Sequence, residues 1–521
     1  MIIKNNYINY LIKNNFFLLK IKFKKISNID YDFDFSNLYF VDQAKDKKIF
    51  FRNNNNFNKF DEDFYIYHSF NWIKIAKDTG GVEIVKLTRD KILKWISNNH
   101  KFHFYIYDIG LVAKRTLNLI YHYDFYGSSA NHNDKKKLKF IIFCHYSFLK
   151  VFLDIKTNNY QEIIEIKKIV LLYEAIHKIN TKKIINQIKT GMAKDINPLG
   201  LHFSMSPQIH AEYINNLIEI KNIFLFFNFK IPKEVQFNII NMISVLKNFI
   251  HKDNSLAYFN GSNNFFIKKI LSIIKHEKDI KIKNLQNNKK GLLVYENKEI
   301  KLIFDVVNPY SKLINYGLHA STLAFELSYN DEKIISNCGS LNKKNKKTPN
   351  YFRYSAAHST IILNNTNITE IVENKSYKRI PKKINFEISE NNTELIWLAS
   401  HDGYKQNFQK IIKRQIAINK KNNLITGKDE IFSIGIKKQK NVFNIRFHLT
   451  PICKILLTRG RMSAIIKTNK SSYLFGSDNE ITIEESIFVN ELNKIVKTSQ
   501  IVISGTCYNS KKIINWWISK Y

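Results

Sequence analysis

The chain has 521 residues, of which 44% are apolar and 14% aromatic. It is too long for one ordinary core and too apolar to be disordered, so we expect two or three domains. It carries 81 basic against 44 acidic residues, a net charge of +37, which would suit a nucleic acid, an anionic membrane surface or an acidic polysaccharide. The lysines are scattered, however, and an AT-rich coding sequence would also enrich Lys, Asn and Ile. The charge alone therefore does not identify the partner.

The N-terminal segment and the cysteines exclude some classes of protein. The apolar run "FFLL" near the N-terminus is too short for the core of a signal peptide, and no small-residue cleavage site follows it. No segment reaches the roughly 20 apolar residues of a membrane span. The four cysteines lie far apart and form no CxxC pair, so neither a disulfide framework nor a zinc ribbon is predicted. We expect a soluble chain, and the sequence gives no evidence of export.

The first half of the chain has helical periodicity. Residues 1–60 show little periodicity and are interpreted as an N-terminal extension. Between about 61 and 280, apolar residues recur at i, i+3, i+4 and i+7, as in "YQEIIEIKKIVLLYEAI". Within "SMSPQIHAEY", Ser206 is predicted to cap a helix that begins at Pro207. A series of such helices with short links predicts a helical array or toroid.

After about Gly291 the apolar period changes to two. Segments such as "GLLVYENKEIKLIFDVV" and "TELIWLASHDGY" indicate short strands separated by Asn, Asp, Lys and Gly turns, as in an antiparallel sandwich. The lysine-rich "KHEKDIKIKNLQNNKK" is the predicted link between the domains. The predicted fold is therefore multidomain α+β, with a sandwich over residues 290–521.

Several polar residues of the second half stand at strand entrances. His319 precedes the alternating run "STLAFELS", and His358 precedes "TIILNN". Asn337 and Cys338 lie in a turn between them. Each histidine alone is readily explained as a polar rim residue, but together they could bind a metal if a third ligand is present. Arg353 could bind a carboxylate with two hydrogen bonds, or could simply be a surface arginine.

In the helical half, His202 lies in the Pro- and Gly-containing loop "NPLGLHFSMSP" just before a helix. A loop histidine at this place could face a ligand, or could be a histidine bonded within its own loop. His210 falls inside the helix and is more simply explained by packing. Tyr258, in "NSLAYFNGS", is a further candidate, although a buried tyrosine is the commoner explanation.

The run "FDVVNPYSKLINYGLHASTLAFELSYNDEKIISNCGS", followed by "FRYSAAHSTIILNN", resembles the C-terminal domain of the heparinase II/III-like proteins. "ASHDGYKQNFQKIIKRQIAI", "FNIRFHLTP" and "ITIEESIFVN" continue the similarity, which is strongest to the alphaproteobacterial branch. "GLHFSMSPQIHAE" and "LAYFNGS" extend it into the helical half, so that it covers roughly residues 60 to 515. The resemblance implies an incomplete (α/α) toroid followed by an antiparallel β-sandwich.

The resemblance also implies a polysaccharide lyase that acts on uronate-containing polymers by β-elimination. Such a reaction needs a group that neutralises the C5 carboxylate, a base for the C5 proton and an acid for the leaving O4. By similarity, His202, Tyr258 and His319 are the candidate catalytic residues. Arg353 and Tyr316 are the candidate substrate-binding residues, in a site expected where the two halves meet.

Some relatives hold zinc with two histidines and an aspartate of the β domain. His319 and His358 match the two histidines, and Asn337 stands at the aspartate position. Zinc is the one candidate cofactor, and asparagine is a poor ligand for it.

Three functions remain open from the sequence: a lyase of an acidic polysaccharide, a catalytically inactive relative that binds or helps to assemble an envelope glycan, and a nucleic-acid binder. The third rests only on net charge, because no nucleic-acid-binding motif is present. The resemblance implies the cell envelope or periplasm, whereas the lack of a clear signal peptide also allows a cytoplasmic location. The sequence predicts no oligomeric state.

Overall fold

The structure is a computed structural model that describes most of the chain. The described residues are 31, 33–34, 62–99, 106–154, 163–276, 291–308, 317–341, 351–372, 376–435, 439–508 and 511–521. The predicted N-terminal extension lies almost entirely outside them, as do most of the predicted link and Tyr316.

The first part of the chain is helical, as predicted. Helix α9 begins at the predicted Pro207, and the Ser206 hydroxyl accepts a hydrogen bond from the backbone N–H of Ile209 at 3.4 Å. In α7 every residue from Ile164 to Ile176 is buried, including four charged side chains, so this helix is enclosed on all sides. None of the helices among the described residues is both long and apolar enough to span a membrane. The helices are α1 (Glu62–Ser69), α2 (Trp72–Thr79), α3 (Val82–Asn98), α4 (Ile109–Tyr121), α5 (Tyr123–Gly127), α6 (His132–Asp154), α7 (Ile163–Ile176), α8 (Lys182–Asp195), α9 (Pro207–Phe226), α10 (Lys233–Leu246) and α11 (Ile267–His276).

The second part of the chain forms two large antiparallel sheets, which confirms the predicted β-sandwich. The first sheet has the order β1-β2-β3-β4-β12-β17-β16, with β5 also paired to β12. The second sheet has the order β13-β14-β15-β18-β11-β10-β9-β8, and β6 and β7 form a small separate pair. The strands are β1 (Leu292–Glu296), β2 (Ile300–Asp305), β3 (Phe325–Tyr329), β4 (Glu332–Ser336), β5 (Ile361–Leu363), β6 (Glu370–Val372), β7 (Ser376–Arg379), β8 (Ile384–Glu390), β9 (Glu394–His401), β10 (Lys410–Asn419), β11 (Ile425–Ser433), β12 (Asn441–Leu449), β13 (Lys454–Leu457), β14 (Ser463–Lys467), β15 (Ser472–Ser477), β16 (Ile481–Val489), β17 (Ile495–Cys507) and β18 (Lys512–Lys520).

The core of the sandwich lies between the two sheets. Trp516 stacks on Phe325 of the first sheet with the ring centroids 5.4 Å apart. Its indole N–H donates to Asp429 at 3.0 Å, and Asp429 is held by the fully buried Arg414 at 2.7 Å. Because side chains alternate along a strand, the core-facing Phe325 leaves Glu326 on the outer face of the first sheet.

The chain packs as two compact units whose limits differ from the change in secondary structure. Helices end at His276 and strands begin at Leu292, close to the predicted boundary. Residues 196–212 and 240–276 nevertheless belong to the same compact unit as the sandwich, whereas the described residues between 62 and 195, together with 213–239, belong to the other. Every candidate site residue that the structure describes lies in the unit that contains the sandwich.

Candidate functional site

The loop that carries His202 is a tight turn. Residues Ile196 and His202 pair across it, and the Asn197 side chain accepts hydrogen bonds from the backbone N–H groups of Leu199 and Leu201 at 2.9 and 3.0 Å. Gly200 has a φ of 88°, and Asn241 occupies the space that a side chain would need. The turn therefore requires glycine at this position.

The His202 ring is buried and held in one orientation. Its Nδ1 accepts the backbone N–H of Ser204 at 3.2 Å and lies 2.8 Å from the Ser204 hydroxyl. The proton of the neutral ring therefore belongs on Nε2. Burial, and secondarily His210, lower the pKa of His202 to about 3, so the ring is neutral at physiological pH.

His210 supports the same loop. Its Nε2–H donates to the Met242 carbonyl at 2.8 Å, and its Nδ1 accepts the backbone N–H of His202 at 3.2 Å. Both ring nitrogens are thus used, which agrees with the simpler sequence interpretation of His210 as a packing residue.

Asn260 joins the His202 loop to His319. Its side-chain N–H donates to the Met205 carbonyl, and its oxygen accepts the backbone N–H of His319, both at 3.1 Å. Asn260 is buried and has a φ of 47°, a left-handed conformation that asparagine tolerates well. Sequence reasoning missed this residue, although the Asn-Gly pair in "FNGS" was a signal for such a conformation.

His319 and His358 lie side by side, with their ring centroids 5.4 Å apart. Both are buried, and among the described residues His358 has no hydrogen-bond partner for either ring nitrogen, nor His319 for Nδ1. The Phe352 carbonyl lies near both rings but outside the geometry of a normal hydrogen bond. Burial lowers the pKa of His358 to about 3 and that of His319 well below its usual value, with His358 and Arg353 adding to the effect on His319.

The residues present do not fit the predicted zinc. The Asn337 oxygen accepts the backbone N–H of Ser359 at 3.1 Å, and its amide N–H faces Glu326 at 3.3 Å. The Cys338 sulfur lies 3.5 Å from His448 Nδ1, and burial raises the pKa of its thiol to about 12. Across the described parts of the chain, no three His, Cys, Asp or Glu side chains converge as metal ligands. Zinc stays a candidate only, and metal analysis of the purified protein tests it.

Glu326 organises the outer face of the first sheet. Its Oε2 lies 3.0 Å from His251 Nε2, 2.7 Å from Lys333 Nζ and 3.1 Å from the backbone nitrogen of Tyr258. Its Oε1 accepts hydrogen bonds from the Ser336 hydroxyl at 3.0 Å and from the backbone and side-chain nitrogens of Asn337 at 2.9 and 3.3 Å. Burial alone would raise the pKa of Glu326, but Lys333 and His251 lower it to about 2. This carboxylate was also missed from the sequence, because an outward residue of a strand is usually solvated.

The Tyr258 hydroxyl is bonded to the protein itself. It donates to the Val489 carbonyl at 3.0 Å, and the ring stacks on Phe488 with centroids 5.2 Å apart. Lys333 Nζ lies 4.3 Å from the ring centroid. Burial raises the pKa of Tyr258 above its usual value, with Glu326 adding to the effect. A catalytic role for this hydroxyl would require it to leave Val489.

Arg353 lies near the histidine pair and binds two groups of the protein. Its guanidinium donates to the Leu318 carbonyl at 3.1 Å and to the Tyr377 hydroxyl at 2.6 Å. The Tyr377 hydroxyl itself donates to Leu318 at 3.1 Å. Tyr377 is a neighbour that the sequence did not indicate, and the predicted substrate-binding Tyr316 lies outside the described residues.

Comparisons with known proteins give both a domain match and a fold. The family model described as "Heparinase II/III-like, C-terminal" matches residues 286–517. No curated protein matches the chain. The alphaproteobacterial branch is tested by neither result.

Solved structures with similar folds include two named as heparinase III and one named as a heparan sulfate lyase. A heparinase III structure matches with a TM-score of 0.69 at 13% identity, over 88% of this chain and 76% of that one. A mutant of the heparan sulfate lyase HepC from Pedobacter heparinus matches with a TM-score of 0.59 at 13% identity, over 88% and 77% of the two chains. A second heparinase III matches with a TM-score of 0.62 at 14% identity, over 88% and 77%.

These matches confirm the predicted fold, an incomplete (α/α) toroid followed by an antiparallel sandwich. Residues 286–517 are therefore a heparinase II/III-like C-terminal domain, and the chain as a whole shares the fold of the heparinase III structures.

Proposed function

We propose that the protein is a polysaccharide lyase that cleaves a uronate-containing acidic polysaccharide by β-elimination. The observation that carries the proposal is the link from the His202 loop through Asn260 to His319 and its neighbour His358. Structures named as heparan sulfate lyase and heparinase III share the fold and support the substrate class.

The reaction sets definite demands on these residues. A base removes the proton from C5, the electrons of that bond form the C4–C5 double bond, and the C4–O4 bond breaks. The leaving O4 takes up a proton, so the products are an unsaturated uronate and a free hydroxyl. The carboxylate at C5 must be neutralised or hydrogen-bonded, because otherwise the C5 proton is too weakly acidic.

His202 is better suited to hydrogen bonding of the C5 carboxylate than to removal of the C5 proton. Its Nδ1 already faces the Ser204 N–H and hydroxyl, so the proton of the neutral ring lies on Nε2 and Nδ1 is not available to accept the C5 proton. We therefore assign it to hydrogen bonding of the C5 carboxylate.

His319 is the proposed base. Its Nδ1 has no partner in the described part of the chain, and a neutral imidazole nitrogen can accept a proton. Burial, His358 and Arg353 lower its pKa in the free protein, and the arrival of a substrate carboxylate would raise it again. Arg353 would exchange its bonds to Leu318 and Tyr377 for this carboxylate. Because the Tyr258 hydroxyl is bonded to Val489, we take Tyr316, the predicted substrate-binding tyrosine, as the first candidate for the proton donor to O4 and Tyr258 as the second.

The test is a panel of uronate polymers assayed for the ultraviolet absorbance of the unsaturated 4,5-bond. We expect activity on at least one polymer, and a reduction of kcat by about 10²- to 10⁴-fold in His319→Ala and in His202→Gln. The matched control is His401→Ala, which removes an equally buried histidine from the C-terminal end of β9; burial lowers the pKa of His401 to about 3, as it does that of His202. A loss of kcat in His401→Ala as large as in His319→Ala would show that the effect is structural.

A catalytically inactive, glycan-binding relative is the second candidate. The observation in its favour is that His202 and His319 are only 2% and 4% exposed, while the Tyr258 hydroxyl is bound to Val489. Binding of a uronate polymer without any unsaturated product, over the whole panel, would select this function over the first.

A further inference from the structure

A groove lies on the outer face of the second sheet, the opposite side of the sandwich from Glu326. It has a volume of about 530 Å³ and is lined by β10, β11 and β18. This volume is within the range of about 300–1,000 Å³ that is usual for ligand sites. The side chains on this face include Gln415, Thr426, Lys428, Asn515 and Trp517.

The strand register places these side chains in two neighbouring rows. Gln415, Lys428 and Asn515 lie opposite one another across β10, β11 and β18. In the next row, Trp517 lies between Thr426 of β11 and Gly476 of β15. The Trp517 indole covers Gly476, where any larger residue would collide with it. The ring therefore has a defined place on the sheet, and it is partly exposed.

Several polar groups in the groove have no partner in the protein. Within the described residues, no hydrogen bond is formed by the Trp517 indole N–H, the Gln415 amide or the Thr426 hydroxyl. The other two polar side chains, in contrast, have partners: Lys428 pairs with Glu430 at 3.1 Å, and the Asn515 amide donates to Asp478 at 2.7 Å. The groove thus combines an aromatic ring and neutral hydrogen-bonding groups with little free charge.

We propose that this groove is a carbohydrate-binding site, separate from the histidine cluster, in which a sugar ring of a glycan chain packs on Trp517. A pyranose ring has an apolar face of C–H groups and a rim of hydroxyls. The indole stacks on the apolar face, while the Gln415 amide, the Thr426 hydroxyl and the Trp517 N–H form hydrogen bonds with the hydroxyls of the rim. A protein partner would instead require a larger apolar area than one tryptophan provides.

Because the contacts proposed in the groove are made by neutral groups, binding there can be distinguished from adsorption to the basic surface. A chain with a net charge of +37 will attract any polyanion at low salt. Such attraction is screened as salt rises. Stacking on Trp517 and hydrogen bonds to hydroxyls are far less sensitive to salt, so binding in the groove persists when the general attraction has disappeared.

The experiment measures binding of the full chain to immobilised heparan sulfate, hyaluronate, alginate and uncharged dextran, at low and at high salt. We expect binding to at least one polymer to persist at high salt. We expect Trp517→Ala to weaken that binding by about ten-fold in Kd, as for the loss of one aromatic stacking contact. Trp517→Phe should recover part of it. The control is Phe237→Ala, which removes an aromatic side chain that is 66% exposed elsewhere on the protein.

Each contrary outcome overturns the proposal. It fails if no polymer binds at high salt, or if Trp517→Ala binds as the unchanged protein does. It also fails if Trp517→Ala changes the oligomeric state and leaves binding intact, because the groove would then be an interface between two copies of the chain. His319→Ala should bind in the groove normally even if it has lost lyase activity, so the two proposals fail independently.

Discussion

Replacement of Glu326 by Gln should destabilise the protein by about 3 kcal/mol. Six donor groups surround the carboxylate, three at each oxygen. Glutamine offers one oxygen and one NH₂ group, so in either orientation three donors would face another donor. The pKa of Glu326 gives the size of this effect, because folding lowers it from 4.5 to about 2. Roughly 2.5 pH units, at 1.36 kcal/mol for each unit, correspond to about 3 kcal/mol of stabilisation of the ionised carboxylate. This agrees with the roughly 3–5 kcal/mol lost when one member of a buried ion pair is removed.

The assay is urea unfolding at about pH 7 and about pH 3, together with hydrogen exchange of the β3 and β4 amides. Because the pKa of Glu326 is lowered by folding, its contribution is complete above pH 4.5 and is lost as the pH falls towards 2. The difference between the two proteins should therefore shrink at the lower pH. The control is Glu387→Gln on the exposed side of β8, expected to change stability by less than about 0.5 kcal/mol.

Two results would refute this reasoning. One is a loss below about 1 kcal/mol in Glu326→Gln at pH 7, which would mean that the carboxylate is replaceable by an amide. The other comes from adding Lys333→Met to Glu326→Gln. Removal of the buried ammonium should restore part of the stability, because Lys333 has then lost its carboxylate partner. No recovery would contradict the role given to this pair.

The remaining predictions concern three positions of the same unit. His358 has a pKa of about 3 in the folded protein, so between about pH 3 and 6.5 protons bind preferentially to the unfolded state and the free energy of unfolding falls as the pH is lowered. In His358→Phe, urea unfolding should show that this fall is smaller by about 1.4 kcal/mol per pH unit. Gly339→Ala should cost more than Gly317→Ala, because both have a positive φ but only at Gly339 would the methyl lie 2.8 Å from the Tyr258 ring; equal melting temperatures would contradict this. Tyr258→Phe should cost about 1 kcal/mol through the lost bond to Val489 and keep most of any lyase turnover, whereas a large fall in kcat would establish the hydroxyl as catalytic.

The sequence predicted the elements of the fold because their signals are local. The start of α9 follows from Ser206 and Pro207, and β9 alternates between buried and partly exposed residues along "ELIWLASH" as the period of two requires. His319 and His358 were also recognised and are neighbours, although they lie in loops ahead of β3 and β5 and not at the strand entrances themselves. These features depend on residues that are close together in the chain or on short stretches that resemble the family.

What could not be predicted depends on contacts between distant parts of the chain. Glu326 faces away from the sandwich core, and the alternation of β3 would leave it in water. It is buried because His251 and Tyr258, 75 and 68 residues earlier, cover that face of the sheet. Asn260 likewise acts through Met205 and His319, which are 55 and 59 residues away. No periodicity or short motif specifies such pairings, so the polar network had to be read from the structure.

The inclusion of residues 196–212 and 240–276 in the compact unit of the sandwich has a consequence for biosynthesis. These segments leave the ribosome before any of the strands that they cover. The contacts of His251 and Tyr258 with Glu326 and Lys333 can therefore form only after β3 and β4 have been synthesised. A fragment that begins at residue 286, where the family match starts, would lack them and would bare a carboxylate and an ammonium on the outer face of the first sheet. For recombinant expression, a fragment that contains the sandwich should therefore begin upstream of residue 196. The family match marks the part of the chain that resembles the family model, which is not the part expected to fold by itself.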